Sequence, residues 1–396
     1  MAKPKWWNYN HTLLVLTWSG WISIYLARSV LPPVLPVLAE ELGLTYTQSG
    51  LQETAYLIGY IIIKIPAGLL ANRIGQKKVL AISMIGYGLA NLLISVAAGF
   101  YEIFVLRLLV GLFQGIHLPI SNALLSDRFK EKQNIAIGIN ESGPNIGNTL
   151  AYPIAVFILS LYGWRYAFAL LSLPAFLLSL ATFTLMKPEF VVSNIEIKEQ
   201  NDNLRNYIHI LLPLAIAHGT YNLILRTTFT FTPIFLVEFR GISIDTAGLI
   251  STILPLAGIF AKISSGFISD YFGGKNSICV AIFLSSFFLS SLVLVPVNSV
   301  LPLNLIFLGL SLYSFSPIIY SSTTSSLPSN YKSTGLGLVT MFGNFVGAIS
   351  TTLIGKLIDI RGFSYSFLLL SLLSLVSAAI IFISLDLKAL NNPEKS

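Results

Sequence analysis

Long apolar stretches recur along the whole chain of 396 residues, and they constrain the fold more than any other feature of the sequence. A helix needs about 20 apolar residues to cross a bilayer. Hydrophobic residues make up 54% of the chain and charged residues only 10%, whereas a soluble domain carries about 25% charged residues. The charged residues are too few to cover a water-exposed surface. The sequence therefore predicts an all-α membrane protein.

Hydropathy places about twelve transmembrane helices along the chain. The predicted spans are 12–38, 47–72, 77–98, 101–127, 134–160, 164–186, 206–237, 244–270, 276–296, 300–326, 332–359 and 362–386. The longest break between spans is polar, mixed in charge and close to the midpoint. We therefore divide the chain into an N-terminal six-helix bundle (1–186), a cytoplasmic linker (187–205) and a C-terminal six-helix bundle (206–396).

The distribution of lysine and arginine predicts the orientation in the membrane. With the N-terminus inside, fifteen of the 24 lie on the cytoplasmic side, six lie within spans, and only Arg165, Arg240 and Arg361 lie outside. Cytoplasmic loops carry an excess of these residues. We therefore expect a multi-pass protein of the plasma membrane with both termini in the cytoplasm. The net charge of +7 reflects these loops, so we expect no nucleic-acid partner.

An internal repeat relates the two halves at an offset of 198 residues. The segment GLLANRIGQKK (68–78) recurs as GFISDYFGGKN (266–276). Matching pairs at this offset are Gly68/Gly266, Gly75/Gly273, Arg28/Arg226 and Lys64/Lys262. Duplicated six-helix halves with a site between them are typical of secondary transporters.

Several motifs resemble the major facilitator superfamily. The segment 68–78 resembles the loop between its second and third helices, and Arg107 with Gly111 and Gly115 resembles its fourth-helix motif. GINESGPNIGN (138–148) resembles its fifth-helix glycine-proline motif. The resemblance implies the major facilitator fold, two pseudo-symmetric six-helix bundles that act by alternating access, and a monomer.

The resemblance also assigns a conformational role to the repeated loop. Its motif residues are Gly68, Asn72, Arg73, Gly75, Gly266, Asp270 and Gly273. In the family, an aspartate usually stands at the position of Asn72 and belongs to a charge relay that latches the cytoplasmic side. The second copy keeps that acid as Asp270, whereas Asn72 forms hydrogen bonds without a charge.

Charges within the spans need an explanation, because each costs at least about 2.5–3.5 kcal/mol at mid-depth. The predicted spans contain the cations Arg28, Lys64, Arg107, Arg226 and Lys262 and the acids Glu53 and Glu141. Five cations minus two acids leave a charge of +3, which favours an anion in the bundle interior. We predict that Arg28 and Arg226 form an anion clamp. The alternative is an arginine paired permanently with an acid such as Glu53 or Glu141.

The other candidate site residues each have a functional and a structural interpretation. Lys64 either attracts the substrate or pairs with an acid, and Tyr25, Tyr60 and Tyr221 either line the cavity or pack. Proton coupling or gating is the functional interpretation for Glu141, Glu53, Arg107, His117 and His218. The structural alternatives are static salt bridges for the charged residues and hydrogen-bonded packing for the histidines.

Four further strings resemble the organophosphate:phosphate antiporters of the superfamily: YLARS (25–29), GYIIIKIPAG (59–68), GLFQGIHLP (111–119) and LILRTTFTFTPIFL (223–236). The resemblance implies that Arg28 and Arg226 bind a phosphate and that Tyr60 and Lys64 fall on a conserved tyrosine–lysine pair of those proteins. The fifth-helix histidine of those antiporters is replaced by Pro144. Glu141 and Arg107 are more similar to proton-coupled anion symporters and drug antiporters.

These observations predict a secondary active transporter of a small organic anion, either a phosphate ester or a carboxylate, driven by exchange or by proton coupling. The alternative is a proton-coupled exporter of drugs or other hydrophobic compounds. The sequence contains no nucleophile elbow, zinc motif or Walker loop, so we expect no enzyme, no metal and no cofactor. The expected partners are the anionic substrate, the bilayer and protons.

Overall fold

The computed structural model describes residues 8–188, 204–296, 300–328 and 331–385. Helices of the first half are α1 (Tyr9–Arg28), α2 (Leu31–Leu42), α3 (Tyr46–Ile62), α4 (Lys64–Ile74), α5 (Gln76–Ile94), α6 (Phe100–Gln114), α7 (His117–Arg128), α8 (Gln133–Tyr162) and α9 (Trp164–Leu185). Helices of the second half are α10 (Ile208–Ile234), α11 (Ile244–Ser251), α12 (Ile253–Phe272), α13 (Gly274–Leu294), α14 (Val300–Ser325) and α15 (Lys332–Ser384). A π-helical turn, Phe235–Phe239, extends α10.

In the described part of the chain, 10 helical stretches are long and apolar enough to cross a membrane. The pair α3 and α4 adds an eleventh, bent by 53°. α15 has 53 residues and leaves helical geometry at Gly362. Its length of about 80 Å is more than twice the hydrocarbon thickness of about 30 Å, so we count it as two spans. The predicted all-α fold with about twelve apolar helices is confirmed.

Prolines explain two of the helix breaks, and both breaks lie beside a cation. α2 begins with Pro32 and Pro33 in its first turn, directly after α1 ends at Arg28. Pro66 lies in the first turn of α4, which begins at Lys64. Proline lacks a backbone N–H and fits the first turn, where that group has no helical partner. The sequence therefore puts an interrupted backbone next to each of these cations.

The repeat is visible in the backbone as pairs of glycines with positive φ. Among the described residues, such glycines are Gly43 and Gly241, Gly75 and Gly273, and Gly163 and Gly362, at offsets of 198, 198 and 199 residues. Gly75 ends α4 with φ 87° and ψ 143°, and Gly273 ends α12 with φ 79° and ψ 147°. Side chains are strained at these angles and glycine is not. The two halves therefore make the same turns at the same places.

The chain divides by contacts into two units. Unit 1 is Met1–Leu44 with Leu51–Glu196, and unit 2 is Thr45–Gly50 with Ile197–Ser396. Within unit 1, α1 packs on α8, and α5 packs on α6 and α9. Within unit 2, α10 packs on α15, and α12 packs on α14. The domain boundaries predicted at 186 and 206 stay predictions, and most of the linker 187–205 lies outside the described residues.

A shared carboxylate joins the end of α2 to the start of α9 in unit 1. The indole Nε1 of Trp164 donates to Glu41 at 2.6 Å. Arg165 donates to the other oxygen of Glu41 and, at 3.3 Å, to the backbone carbonyl of Ala97. Trp164 and Arg165 therefore anchor the start of α9 to the end of α2 and to the segment between α5 and α6.

The first turn of α3 belongs to unit 2 because a carboxylate of α15 caps it. Asp359 accepts hydrogen bonds from the backbone N–H groups of Tyr46, at 2.8 Å, and Thr47, at 2.9 Å, and also from the Thr47 hydroxyl. The Tyr46 hydroxyl donates to Glu238. The first N–H groups of a helix have no partner within it, so a distant acid here replaces a local N-cap.

We expect Asp359→Ala to free the first turn of α3. Loss of a helix cap costs on the order of 1 kcal/mol, so thermal unfolding should begin a few degrees lower. Hydrogen–deuterium exchange should speed up at residues 46–50 and stay unchanged in α12. Asp245→Ala, which removes an exposed acid from the first turn of α11, is the matched control. Unchanged exchange at 46–50 would show that Asp359 does not hold this turn.

Candidate functional site

Three charged side chains meet in the interior of unit 1. Arg28 donates from Nη2 to Oε1 of Glu53 at 2.6 Å, and Arg107 donates from Nη2 to Oε2 of the same carboxylate at 3.1 Å. Arg107 also donates from Nη1 to the backbone carbonyl of Arg28 at 3.5 Å, at the end of α1. All three are buried, with at most 5% of each residue exposed. We call Arg28, Glu53 and Arg107 the buried triad.

The glycines of α6 bring Arg107 within reach of Glu53. A Cβ built on Gly111 would overlap the backbone carbonyl of Tyr56, and one built on Gly115 would overlap that of Tyr60. On the facing helix, a Cβ on Gly59 would overlap the backbone of Leu108. Small residues of this kind let two helices approach closely. Gly111 and Gly115 therefore serve the close packing of these two segments.

A tyrosine of α3 lies against both arginines of the triad. The Cζ atoms of Arg28 and Arg107 lie 4.3 Å and 5.0 Å from the ring centroid of Tyr56. Tyr56 in turn stacks on Tyr60, with centroids 6.0 Å apart. A desolvated cation over an aromatic face gains about 2 kcal/mol. The ring therefore stabilises two guanidinium groups that share a single acid.

Other candidate site residues of α1, α3 and α4 also place a cation against an aromatic ring. Lys64 places its ammonium 4.8 Å from the ring centroid of Tyr60, and Arg28 lies 5.6 Å from that of Tyr25. Lys64 and Tyr60 are half-buried. Tyr25, Arg28, Tyr56, Tyr60 and Lys64 therefore form a continuous row of aromatic rings and cations in unit 1.

Arg226 belongs to a different environment, in unit 2. It is half-buried on α10, one turn after Asn222, and a Cβ on Gly347 of α15 would lie 3.3 Å from its Cγ. At the repeat offset, the residue equivalent to Glu53 is Ser251, and the residue equivalent to Arg107 is Leu305. Unit 2 therefore repeats the arginine without repeating the triad. The clamp between Arg28 and Arg226 stays a prediction.

The two histidines are packed and hydrogen-bonded. His117 Nε2 lies 3.0 Å from the backbone carbonyl of Thr17, and its ring makes an edge contact with Trp21. His218 lies 3.5 Å from the hydroxyl of Tyr320, and its ring contacts that of Tyr221. These contacts support the structural interpretation of both residues.

Glu141 lies on α8, beside the residues that pack this helix against α1. Ser142 accepts a hydrogen bond from the indole of Trp18 at 3.0 Å, and a Cβ on Gly143 would press on the backbone of Trp18. Glu141 itself is exposed at the surface of unit 1 and lies within electrostatic range of Tyr60. The buried triad does not include it.

The repeated loops lie at the ends of α4 and α12. Asn72 and Arg73 are exposed in the last turn of α4, and a Cβ on Gly68 or Gly266 would meet no atom within 4 Å. The side chain of Asp270 is outside the described residues. The latch that the family resemblance implies therefore stays a prediction.

Sequence reasoning missed two buried residues of α3 that are close in sequence to Glu53. Gln52 and Tyr56 are both fully buried. Among the described residues, the Gln52 amide atoms and the Tyr56 hydroxyl have no hydrogen-bond partner. Such groups are costly unless they are satisfied by a ligand or water. Tyr56 could have been recognised from the sequence, because it is three residues after Glu53 and four before Tyr60 and therefore shares a helix face with both. Gln52 lies four residues before Tyr56, so it follows the same spacing.

The family model of the Major Facilitator Superfamily matches residues 17–351 and again 214–396. The chain belongs to the Major Facilitator Superfamily. Two overlapping matches agree with the duplicated halves. The predicted membership is therefore confirmed, whereas the finer resemblance to organophosphate:phosphate antiporters is not.

The transporter is similar over most of its length to curated relatives. The "Hexuronate transporter" of Bacillus subtilis is 27% identical over 90% of this chain and 90% of that protein. The "D-galactonate transporter" of Escherichia coli is 21% identical over 95% of each chain. "Multidrug resistance protein MdtG" of Salmonella typhimurium is 27% identical over 74% of each chain.

Solved structures show the same fold. The crystal structure of a bacterial homologue of the human lysosomal transporter Spinster, in an inward-facing and occupied conformation, matches with a TM-score of 0.85. The match covers 98% of this chain and 99% of that one at 15% sequence identity. At this identity the likeness concerns the fold alone.

We expect Glu53→Ala to destabilise the transporter strongly. The change leaves two buried guanidinium groups without their acid, which costs about 3–5 kcal/mol for a buried pair. Thermal unfolding of the purified protein measures the loss. Glu41→Ala is the control for an exposed ion pair, because the side chains of Arg165 and Glu41 are 40% and 45% exposed. Breaking such a pair costs about 1 kcal/mol or less. Glu41→Ala also removes the acceptor of the Trp164 indole, a hydrogen bond worth about 0.5–1.5 kcal/mol. Equal losses in both variants would contradict a structural role for the triad.

Proposed function

We propose that the protein is a secondary active transporter of a small organic anion and that Arg28 binds the carboxylate of its substrate. The observation that carries this proposal is the bond between Arg28 and Glu53, at 2.6 Å. It shows a guanidinium that already holds a carboxylate in the interior of the bundle. Arginine offers donors in a planar fork that fits this group.

The charge of the triad favours an anion. Two guanidinium groups and one carboxylate sum to +1, so a bound monocarboxylate would bring the local charge to zero. Lys64 adds positive potential next to Tyr60. Arg226 is the proposed second anion contact, in unit 2. These positive charges would oppose a cationic substrate.

Glu53 supports a coupling mechanism. The Glu53 carboxylate occupies the same donor of Arg28 that a substrate carboxylate would use, so the two compete. A proton on Glu53 would weaken its hold on Arg28 and release the guanidinium. Proton binding and anion binding would then favour each other, which is the requirement for proton symport. Under plain exchange, Glu53 would stay charged throughout.

The substrate class that fits best is a hydroxylated carboxylate rather than a phosphate ester. Relatives that cover about nine-tenths of the chain are named for a hexuronate and for D-galactonate. Gln52 and Tyr56 supply buried polar atoms that a hydroxyl group would satisfy. The expected location is the plasma membrane with both termini in the cytoplasm.

The rival function is a proton-coupled drug exporter, which the similarity to MdtG favours. That relative matches less of the chain than the two sugar-acid relatives do. Buried arginines also disfavour cationic compounds. We therefore rank this function second.

We expect Arg28→Lys to abolish or sharply reduce anion uptake while the protein stays folded. Lysine keeps the charge but loses the planar fork that fits a carboxylate. Uptake of labelled D-galactonate, a hexuronate, a glycerol phosphate and a cationic dye into proteoliposomes measures the effect and ranks the substrate classes. Arg361→Lys, at an exposed position of α15, is the matched control.

Carboxylate uptake that falls in Arg28→Lys and persists in Arg361→Lys would support the proposal. Uptake of the dye alone, or carboxylate uptake equal in both variants, would overturn it. A proton gradient that drives uptake in the wild type and no longer does so in Glu53→Gln would support Glu53 as the coupling acid. An unchanged dependence on the gradient would exclude it.

We expect Gln52→Leu to weaken the binding of hydroxylated acids selectively. One lost hydrogen bond is worth about 0.5–1.5 kcal/mol, so KM for D-galactonate should rise about 2- to 12-fold. KM for hexanoate, which has no hydroxyl groups, should stay the same. A gain in thermal stability with both KM values unchanged would show that the Gln52 amide does not meet the substrate.

A further inference from the structure

A groove with a volume of about 370 Å³ lies in unit 2 between α12, α13 and α14. Its apolar walls include Ile268 and Phe272 of α12, Val280 and Leu284 of α13, and Phe307 and Ile318 of α14. It involves neither the buried triad nor Arg226.

The polar residues of the groove already donate hydrogen bonds within the protein. Asn276 donates to the carbonyl of Phe272 at 3.2 Å, and Ser277 donates to that of Ile268 at 3.4 Å. The other three serines, Ser264, Ser311 and Ser314, donate to carbonyls of their own helices at 2.7–3.2 Å. Every polar side chain of the lining therefore donates a hydrogen bond to a backbone carbonyl. The groove suits an apolar occupant and not a hydrophilic substrate.

The length of the groove matches one leaflet of a bilayer. Asn276, Val280, Leu284 and Phe288 line it at intervals of four residues along α13. The helix rises about 18 Å over the twelve steps from Asn276 to Phe288, and half of the hydrocarbon core measures about 15 Å. An acyl chain lying along α13 would therefore extend from the helix end to mid-membrane.

The groove opens on a surface that faces lipid. Phe272 is 60% exposed at the bundle surface, Val280 is 55% exposed and Phe307 is 43% exposed. Exposed apolar side chains of membrane helices contact acyl chains, so no barrier separates the groove from the bilayer. A void in this position would forfeit the dispersion contacts of its walls.

A cation lies next to the end of the groove where α13 begins; it is not one of the lining residues, and its side chain lies against α15. Lys275 precedes Asn276 on the first turn of α13, and its ammonium lies 4.9 Å from the ring centroid of Phe382. A lysine at a helix end reaches toward the headgroup layer. The positive charge of Lys275 complements a phosphate. A phospholipid with its acyl chain in the groove would place its phosphate at this end.

We propose that this groove binds one acyl chain of a bilayer phospholipid, with the phosphate of that lipid at Lys275. The acyl chain fills the gap between α12 and the packed pair of helices α13 and α14. The site is separate from the proposed anion pathway, so its success or failure leaves the transport proposal untouched.

Photocrosslinking tests the proposal on the full chain. The protein is reconstituted in nanodiscs of phosphatidylethanolamine and phosphatidylglycerol that contain phosphatidylglycerol with a diazirine in the acyl chain. Mapped labels should concentrate on groove residues of α13 and α14 rather than on exposed residues such as Leu177 of α9. Labels spread evenly over the lipid-facing residues of both units would overturn the proposal.

Variants that fill the groove give the decisive comparison. Ala281→Leu and Ser314→Leu each add volume from a different wall, and either should reduce groove labelling several-fold while anion uptake persists. Leu294→Phe, at an exposed position of α13, is the control and should leave labelling unchanged. Lys275→Gln should reduce labelling by the phospholipid and not by a diazirine fatty alcohol, which has no phosphate. Labelling that persists in both filled variants would contradict the site.

Discussion

The interior of unit 1 depends on one carboxylate. Arg28 and Arg107 are both buried, and Glu53 is the acid that both contact. Without it, two guanidinium groups would repel each other in a medium of low dielectric. The surrounding features follow from this requirement. The glycines of α6 bring Arg107 close to α3, and Tyr56 covers both guanidinium groups with its ring.

The repeat duplicates the fold but not this site. Paired glycines make the same turns in both halves, and Arg226 repeats Arg28. Ser251 and Leu305 replace the other two members of the triad in the second half. A duplicated scaffold therefore carries a charged interior in unit 1. In unit 2, His218, Tyr221 and Tyr320 supply aromatic and neutral polar contacts around α10.

Hydropathy and the repeat were enough to predict the fold, because membrane spans are set by length and by apolar composition. The breaks at Pro32 and Pro66 also follow from sequence. The pairing of Arg28 with Glu53 was the alternative to the clamp in the sequence analysis, whereas the sharing of Glu53 with Arg107 did not follow, since it depends on which face of α3 meets α1 and α6. The pair Gly163 and Gly362 does not match at the repeat offset of 198 residues, because its own offset is 199 residues. An insertion of one residue is invisible to a comparison at a single fixed offset.

An internal acid on Arg28, the arginine that we propose binds the substrate, has an energetic consequence for the proposed transport. An empty cavity with an unpaired guanidinium would be unstable, and a substrate that satisfied it would bind too tightly to leave. With Glu53 in place, substrate binding exchanges one carboxylate for another at Arg28, so the net gain is small. Release then costs equally little, because Glu53 returns to the vacated donor. The buried triad thus limits affinity on the proposed route, and a carrier needs weak binding in order to release its substrate on the far side.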